Sequence, residues 1–254
     1  MSLPGAVATR LEKAALDNGF DHELPAAGDW LGFGSTHAPL HVWLAVDSEG
    51  RPVVALSRLD VAQALTEGAD ALALPLPPGA QAAYVMPDVS LLHRFLRRAW
   101  QLARTLPDEL LHTFQQTTAA LPRATEAERL VVQRVGQDLF RGGLLEYWEG
   151  RCAVTGLAVP ELLRASHIKP WADCETDAER LDVFNGLLLA PNFDAAFDRG
   201  FVTFTDEGKL MVSPRLSEAG CRLLGVGTGL RVLGLSDGHC RYLRWHRELV
   251  FKRV

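Results

Sequence analysis

The chain has 254 residues, 48% of them apolar and 22% charged, with a net charge of −5. That length allows two domains of roughly 100–150 residues each, and the composition excludes a disordered tail. No run approaches the ~18 apolar residues of a bilayer span, and "MSLPGAVATRLEKAALDNG" lacks the apolar stretch of a signal peptide, so a cytoplasmic protein with no membrane partner is expected.

Cys152, Cys174, Cys221 and Cys240 include no C-x-x-C pair, which argues against both a structural zinc and a disulfide framework. Charge is unevenly spread. Residues 1–120 hold 8 Lys/Arg against 13 Asp/Glu, whereas residues 121–254 hold 18 of each. A function that binds a polyanion therefore belongs to the second half.

In chain order, residues 6–18 read as an amphipathic helix. "LHVWLAV" (40–46) and "PVVALS" (52–57) read as two strands of a hairpin around "DSEGR". A short helical stretch near 59–67, a Pro/Gly-rich connector at 75–79 and a third strand at 81–86 follow. Trp30, Phe33 and Trp43 fill a core or, alternatively, line a pocket for an extruded base. From Asp88 to Arg104, Leu92, Phe95, Leu96, Ala99 and Ala103 form an apolar helical stripe. Its opposite face, with Arg94, Arg97, Arg98, Gln101 and Arg104, is either a solvated surface or a strip that holds nucleic-acid phosphates.

The polar stretch 106–124 reads as the domain boundary, giving an α+β chain with domains 1–120 and 121–254. Thr125 with Glu128 forms a capping box that opens a helix running toward Gly142-Gly143. "CAVTG" (152–156) is a tight turn, and "ELLRASHI" (161–168) is extended and ends in His167. After a polar loop, "NGLLLA" (185–190) is a second short strand. Pro191 starts a brief helix that Gly200 stops. Asp194 and Asp198, four apart, share one face of that helix. The helix dipole disfavours a carboxylate at the position of Asp198, so a cation is expected nearby, either a basic side chain such as Arg199 or a metal ion.

C-x-x-T-G, A-S-H-I-x-P-W, N-G-L-L-L and P-N-x-D-x-x-F-D-R-G, in that order, resemble the HNH endonuclease motif, in particular its restriction-type branch. The flanking "RVGQDLFRGGLLEYWEGRC" and "YLRWHRELVF" extend the likeness over about residues 131–254, with a core at 152–201. The resemblance implies a ββα-metal nuclease domain. It assigns His167 as general base, Asn185 as the residue tying the intervening loop, and Asp194 and Asp198 as ligands of the catalytic cation. Ser166 stands where many members carry a further ligand. Two carboxylates with hydroxyl and water oxygens suit Mg2+ or Mn2+. Hydrolysis of a phosphodiester also needs a base near neutrality, which an unperturbed histidine supplies at about 6.5.

Arg164, Lys169 and Arg199 flank the motif as contacts for DNA phosphates or as plain surface charges. The expected activity is metal-dependent cleavage of DNA in restriction-type defence, by a monomer or a homodimer. A nonspecific or RNA-directed nuclease on the same fold, and a catalytically inactive DNA-binding module, are the alternatives.

Overall fold

The computed structural model describes residues 3–65, 70–71, 75–122, 124–227 and 229–253. The chain is α+β and divides into two compact units, Met1–Arg104 and Thr105–Val254. Among the described residues no helix is long and apolar enough to cross a membrane.

The first unit is an antiparallel sheet with helices. Helix α1 (Gly5–Asp17) precedes β1 (His22–Ala27), β2 (Trp30–Gly34), β3 (His41–Val46) and β4 (Pro52–Leu56); then come α2 (Leu59–Ala64), β5 (Asp70–Ala71), β6 (Ala82–Val85) and α3 (Val89–Thr105). The sheet order is β1-β2-β3-β4-β6-β5, with every pair antiparallel. The expected hairpin is β3–β4, in register from Val42↔Leu56 to Val46↔Pro52. Asp47 closes its turn by accepting from the Glu49 and Arg51 amides, each at 2.9 Å.

Every residue of β4 is buried, and the five stripe residues of α3 are at most 5% exposed. Phe95 of α3 meets Tyr84 of β6 at a ring separation of 5.3 Å. Trp43 joins Ala55 and Ala83 in a core cluster with Leu24 and Trp30 against it, and Phe33 is also buried. Core filling thus accounts for these aromatic residues. Residues 66 and 67 of the expected helix lie outside the described residues.

The second unit begins earlier than the sequence suggested. The stretch read as a polar connector contains helix α4 (Pro107–Thr118), which belongs to this unit. Pro107 starts it, Asp108 and Glu109 sit in its first turn, and Leu110 and Phe114 supply its buried stripe. Helix α5 (Glu126–Tyr147) opens with the expected Thr125–Glu128 capping box. It continues past Gly142-Gly143, because Gly143 permits a close approach rather than a stop. A Cβ there would lie 2.7 Å from Leu110 of α4.

Next come β7 (Arg164–His167), α6 (Asp177–Leu181), β8 (Gly186–Leu189) and α7 (Pro191–Asp198). β7 and β8 are antiparallel, pairing Ser166 with Leu187 and His167 with Gly186, and α7 follows as the helix of a ββα motif. β9 (Val202–Phe204) pairs with β10 (Leu210–Val212), and α8 (Glu218–Leu224) and α9 (Asp237–Leu249) complete the unit.

Candidate active site in the second unit

Alternation along β7 turns neighbouring side chains to opposite faces. Ser166 is 2% exposed and donates from its hydroxyl to Asp198 Oδ1 at 3.0 Å, so it faces α7. His167 stacks on Phe140 of α5 with ring centroids 3.7 Å apart. The site is therefore two groups joined by one peptide: Ser166 with Asp194 and Asp198, and His167 with the loop that Asn185 fastens.

In the first group, desolvation and then the charge of Asp198 raise the pKa of Asp194 above the usual carboxylate value; the Ser166 hydroxyl and Arg164 oppose this. Desolvation also raises that of Asp198, opposed by Ser166 and Arg199. Among the described residues neither carboxylate has an ion pair within 4.0 Å, so neither candidate cation on the chain neutralises the pair directly. Two under-neutralised carboxylates beside a hydroxyl form a hard-oxygen donor set that fits a magnesium- or manganese-sized ion, with water or phosphate oxygens needed to complete its shell. Among the described residues no group of three or more His, Cys, Asp or Glu side chains converges on one point.

Helix α7 is held in place from behind. His246 of α9 is 1% exposed and stacks on Phe197 at 3.9 Å. Its Nε2–H donates to the Phe197 carbonyl at 3.1 Å, and Thr203 donates to its Nδ1 at 2.9 Å. Gly200 ends the helix with φ +69°, in the left-handed region, and a Cβ there would collide with the Val250 carbonyl.

In the second group, the Nε2–H of His167 donates to the Arg180 carbonyl at 2.9 Å. A carbonyl can only accept, so the proton is on Nε2 and the lone pair is on Nδ1. Burial lowers the imidazole pKa to about 4, against a smaller opposing effect of the Arg180 carbonyl. This value differs from the near-neutral one expected from sequence: packing on Phe140 and Trp171 disfavours the charged ring.

Asn185 is fully buried and ties the 169–179 loop. It accepts from the Lys169 amide at 2.8 Å and donates to the Lys169 and Glu179 carbonyls, both at 3.1 Å. Asp182 is 1% exposed and anchors the end of that loop to α9 by accepting from Tyr242 at 2.8 Å and Arg241 at 2.5 Å.

The expected phosphate contacts separate into three cases. Arg164 and Arg199 are exposed beside the carboxylate pair. Lys169 is not available, because its ammonium bonds both Glu179 oxygens at 2.9 and 3.0 Å and the residue is only 9% exposed. The α3 arginines lie in the first unit. Arg94 and Arg97 are exposed, Arg98 is partly buried, and Arg104 lies 4.5 Å over the Trp100 ring. Gln101, placed on the polar face from sequence, is 7% exposed.

Three partners escaped the sequence reading: Phe140 beneath His167, the Arg180 carbonyl and His246 behind α7. The F-x-x-x-x-x-x-Y spacing of α5 shows that Phe140 and Tyr147 share a helix face, but nothing local marks a carbonyl as a partner.

Residues 152–205 match the family model described as HNH endonuclease. No curated protein matches the chain. The match covers β7, β8, α7 and β9, the elements that carry both groups. The C-terminal unit of this α+β chain thus contains a segment similar to the HNH endonuclease family, a likeness that points to nuclease chemistry on nucleic acid.

Proposed function

We propose that the protein is a DNA endonuclease of restriction type, in which His167 takes the proton of an attacking water. The observation that carries this reading is the fixed tautomer of His167. With Nε2–H committed to the Arg180 carbonyl, the lone pair on Nδ1 is free to act as a base. Burial keeps the ring neutral across the physiological pH range, so no proton blocks the Nδ1 lone pair, and the same burial makes it a weaker base than a free imidazole.

Asp194 and Asp198, with Ser166 beside them, are the residues that would hold Mg2+ or Mn2+. When bound, such an ion polarises the phosphate and stabilises the departing oxygen. Asn185 positions the base indirectly: it fixes the loop that ends at Arg180, whose carbonyl orients the imidazole. Arg164 and Arg199, both exposed, would contact backbone phosphates of the bound strand. The N-terminal unit is assigned to selection of substrate or partner, with the exposed Arg94 and Arg97 as its phosphate contacts.

Parallel assays on duplex DNA, single-stranded DNA and RNA, each with Mg2+ or Mn2+, test the reading. Nicking of duplex DNA is expected. Cleavage confined to RNA would replace the substrate, and binding of DNA without any nick under either ion would make the protein a binding module.

A further inference from the structure

A cavity of about 360 Å3 opens between α4, α5 and the 171–180 loop, within the second unit. We propose that it seats one unpaired nucleobase of the bound strand. This rests on the nuclease reading and adds a base-binding pocket to it.

The walls have the chemistry of such a seat. Phe114 and Val132 supply apolar surface, Trp171 adds an indole, and Gln133 brings an amide that can both donate to and accept from a base edge. Arg129 at the mouth is exposed, with no ion pair within 4.0 Å among the described residues, so its charge is available to a backbone phosphate. The acidic wall residue, Asp177, is already paired with Arg180 at 2.9 Å, which lowers its repulsion of an anionic strand. The volume suits a base with its sugar. A paired base in a duplex cannot enter, so the occupant is extruded or single-stranded.

The pocket also touches the base catalyst. Trp171 meets the His167 ring edge-on at 5.7 Å, and Arg180 orients that ring through its carbonyl. Arg180 in turn grips the loop by donating to the Trp171 carbonyl at 3.3 Å and the Cys174 carbonyl at 2.6 Å. Gly136 of α5 is what lets the indole in, since a Cβ there would lie 2.5 Å from Trp171. A seated base therefore packs on the residues that aim His167.

Two arms test this with the full-length protein. In the first, isothermal titration compares deoxyadenosine monophosphate with deoxyribose phosphate, on wild type and on an Arg129→Ala/Gln133→Ala double variant. The nucleotide is expected to bind wild type about tenfold more tightly than the sugar phosphate, an advantage lost in the variant. Equal binding of the two probes to wild type, or an unchanged advantage in the variant, would overturn the proposal. The second arm measures KM on single strands with one abasic nucleotide walked past the cleaved bond. One position should raise KM about tenfold in wild type and have little effect in the variant. A wild type indifferent to every abasic position would also overturn it. If neither single strands nor duplex DNA is cut, the nuclease reading fails, while the titration arm still decides the pocket.

Discussion

The two units use polar groups differently. Among the described residues the first unit buries two polar or charged side chains, Asn18 and Gln101, whereas the second buries eleven. The first is a sheet whose long ladders pair the backbone with itself, so its core is left to apolar side chains. The second has short strands and long irregular loops. Its backbone groups are satisfied by side chains instead: Asn185 for the 169–179 loop, Arg141 for the Leu163 and Pro160 carbonyls, and His246 for α7. Such a scaffold fixes irregular backbone where chemistry needs it, but each fixing residue becomes hard to replace.

The largest effect should come where the second unit acts. His167→Ala is expected to lower cleavage by about 10²–10⁴-fold while binding of DNA changes little, since a base acts on water rather than on substrate affinity. Anisotropy binding and a plasmid-nicking assay measure the two. Retention of more than about a tenth of the wild-type rate would remove His167 from the mechanism and leave its carbonyl bond a structural one.

Asn185→Ala sharpens the contrast in stability. It leaves the Lys169 amide and the Lys169 and Glu179 carbonyls without their partner around a fully buried position, at a cost of about 2–4 kcal/mol. In the first unit the comparable loss comes from an apolar truncation such as Leu96→Ala, about 2–5 kcal/mol. Urea unfolding of both variants checks this. An Asn185 variant as stable as wild type would mean that the loop is held by something else.

The same division decides what was legible in the sequence. Regular periodicity reveals elements stabilised by apolar faces, so α3, β3, β4, β8 and α7 read correctly. The segment 161–168 is extended only from Leu163 on, because Pro160–Leu162 form a 3-10 turn. β1 ("HELPAA") and β2 ("WLGFG") did not, because proline, glycine and weak alternation hide a strand that its neighbours complete. α4 is not legible because Pro107 and the polar run from Gln115 to Thr118 outweigh a short buried apolar stripe, Leu110 and Phe114, four apart. In the site, the spacing of Asp194 and Asp198 and the ends of both strands were visible in the motif. The packing that lowers the pKa of His167 was not, since Phe140 and Trp171 come from distant parts of the chain.

Acid should separate the units. Burial lowers the folded pKa of both His167 and His246 to about 4, below the usual 6.5. Their stabilisation of the second unit is complete above pH 6.5 and is lost as pH falls toward 4, by at most about 1.4 kcal/mol per pH unit for each imidazole. The raised carboxyls Asp182, Asp194 and Asp198 oppose this at the acid end, because the folded state holds their protons more tightly. In the first unit the relevant groups are carboxylates with lowered values. Asp21 is held down by hydrogen bonds from Thr36 and His22; at Asp47 and Asp60 burial works upward but Arg51 and Arg58 outweigh it. Their contribution is present above pH 3.8 and is lost only below it. Native-state hydrogen exchange should therefore show α9 amides losing protection between pH 6.5 and 4 while β3 and β4 amides keep theirs. A parallel decline in both units would break the comparison. The acid limb of cleavage should likewise lie near pH 4, not 6.5.

The smallest effect is a gain. Asp194 and Asp198 are four apart on α7, partly desolvated and without an ion pair within 4.0 Å among the described residues, so their mutual repulsion costs the folded protein stability at neutral pH. Asp194→Asn keeps the shape and removes one charge. In the presence of a chelator it should stabilise the protein by about 0.5–1 kcal/mol, seen as a rise in Tm of a few degrees. Adding Mn2+ should reverse the order: wild type gains stability by binding the ion, the variant gains little, and the two melting curves cross as the ion is titrated in. A variant that melts below wild type in chelator would show that Asp194 makes a stabilising contact, and the pair would then be structural. If Mn2+ raised both Tm values equally, the ion would bind elsewhere and the assignment of Asp194 as a ligand would fall.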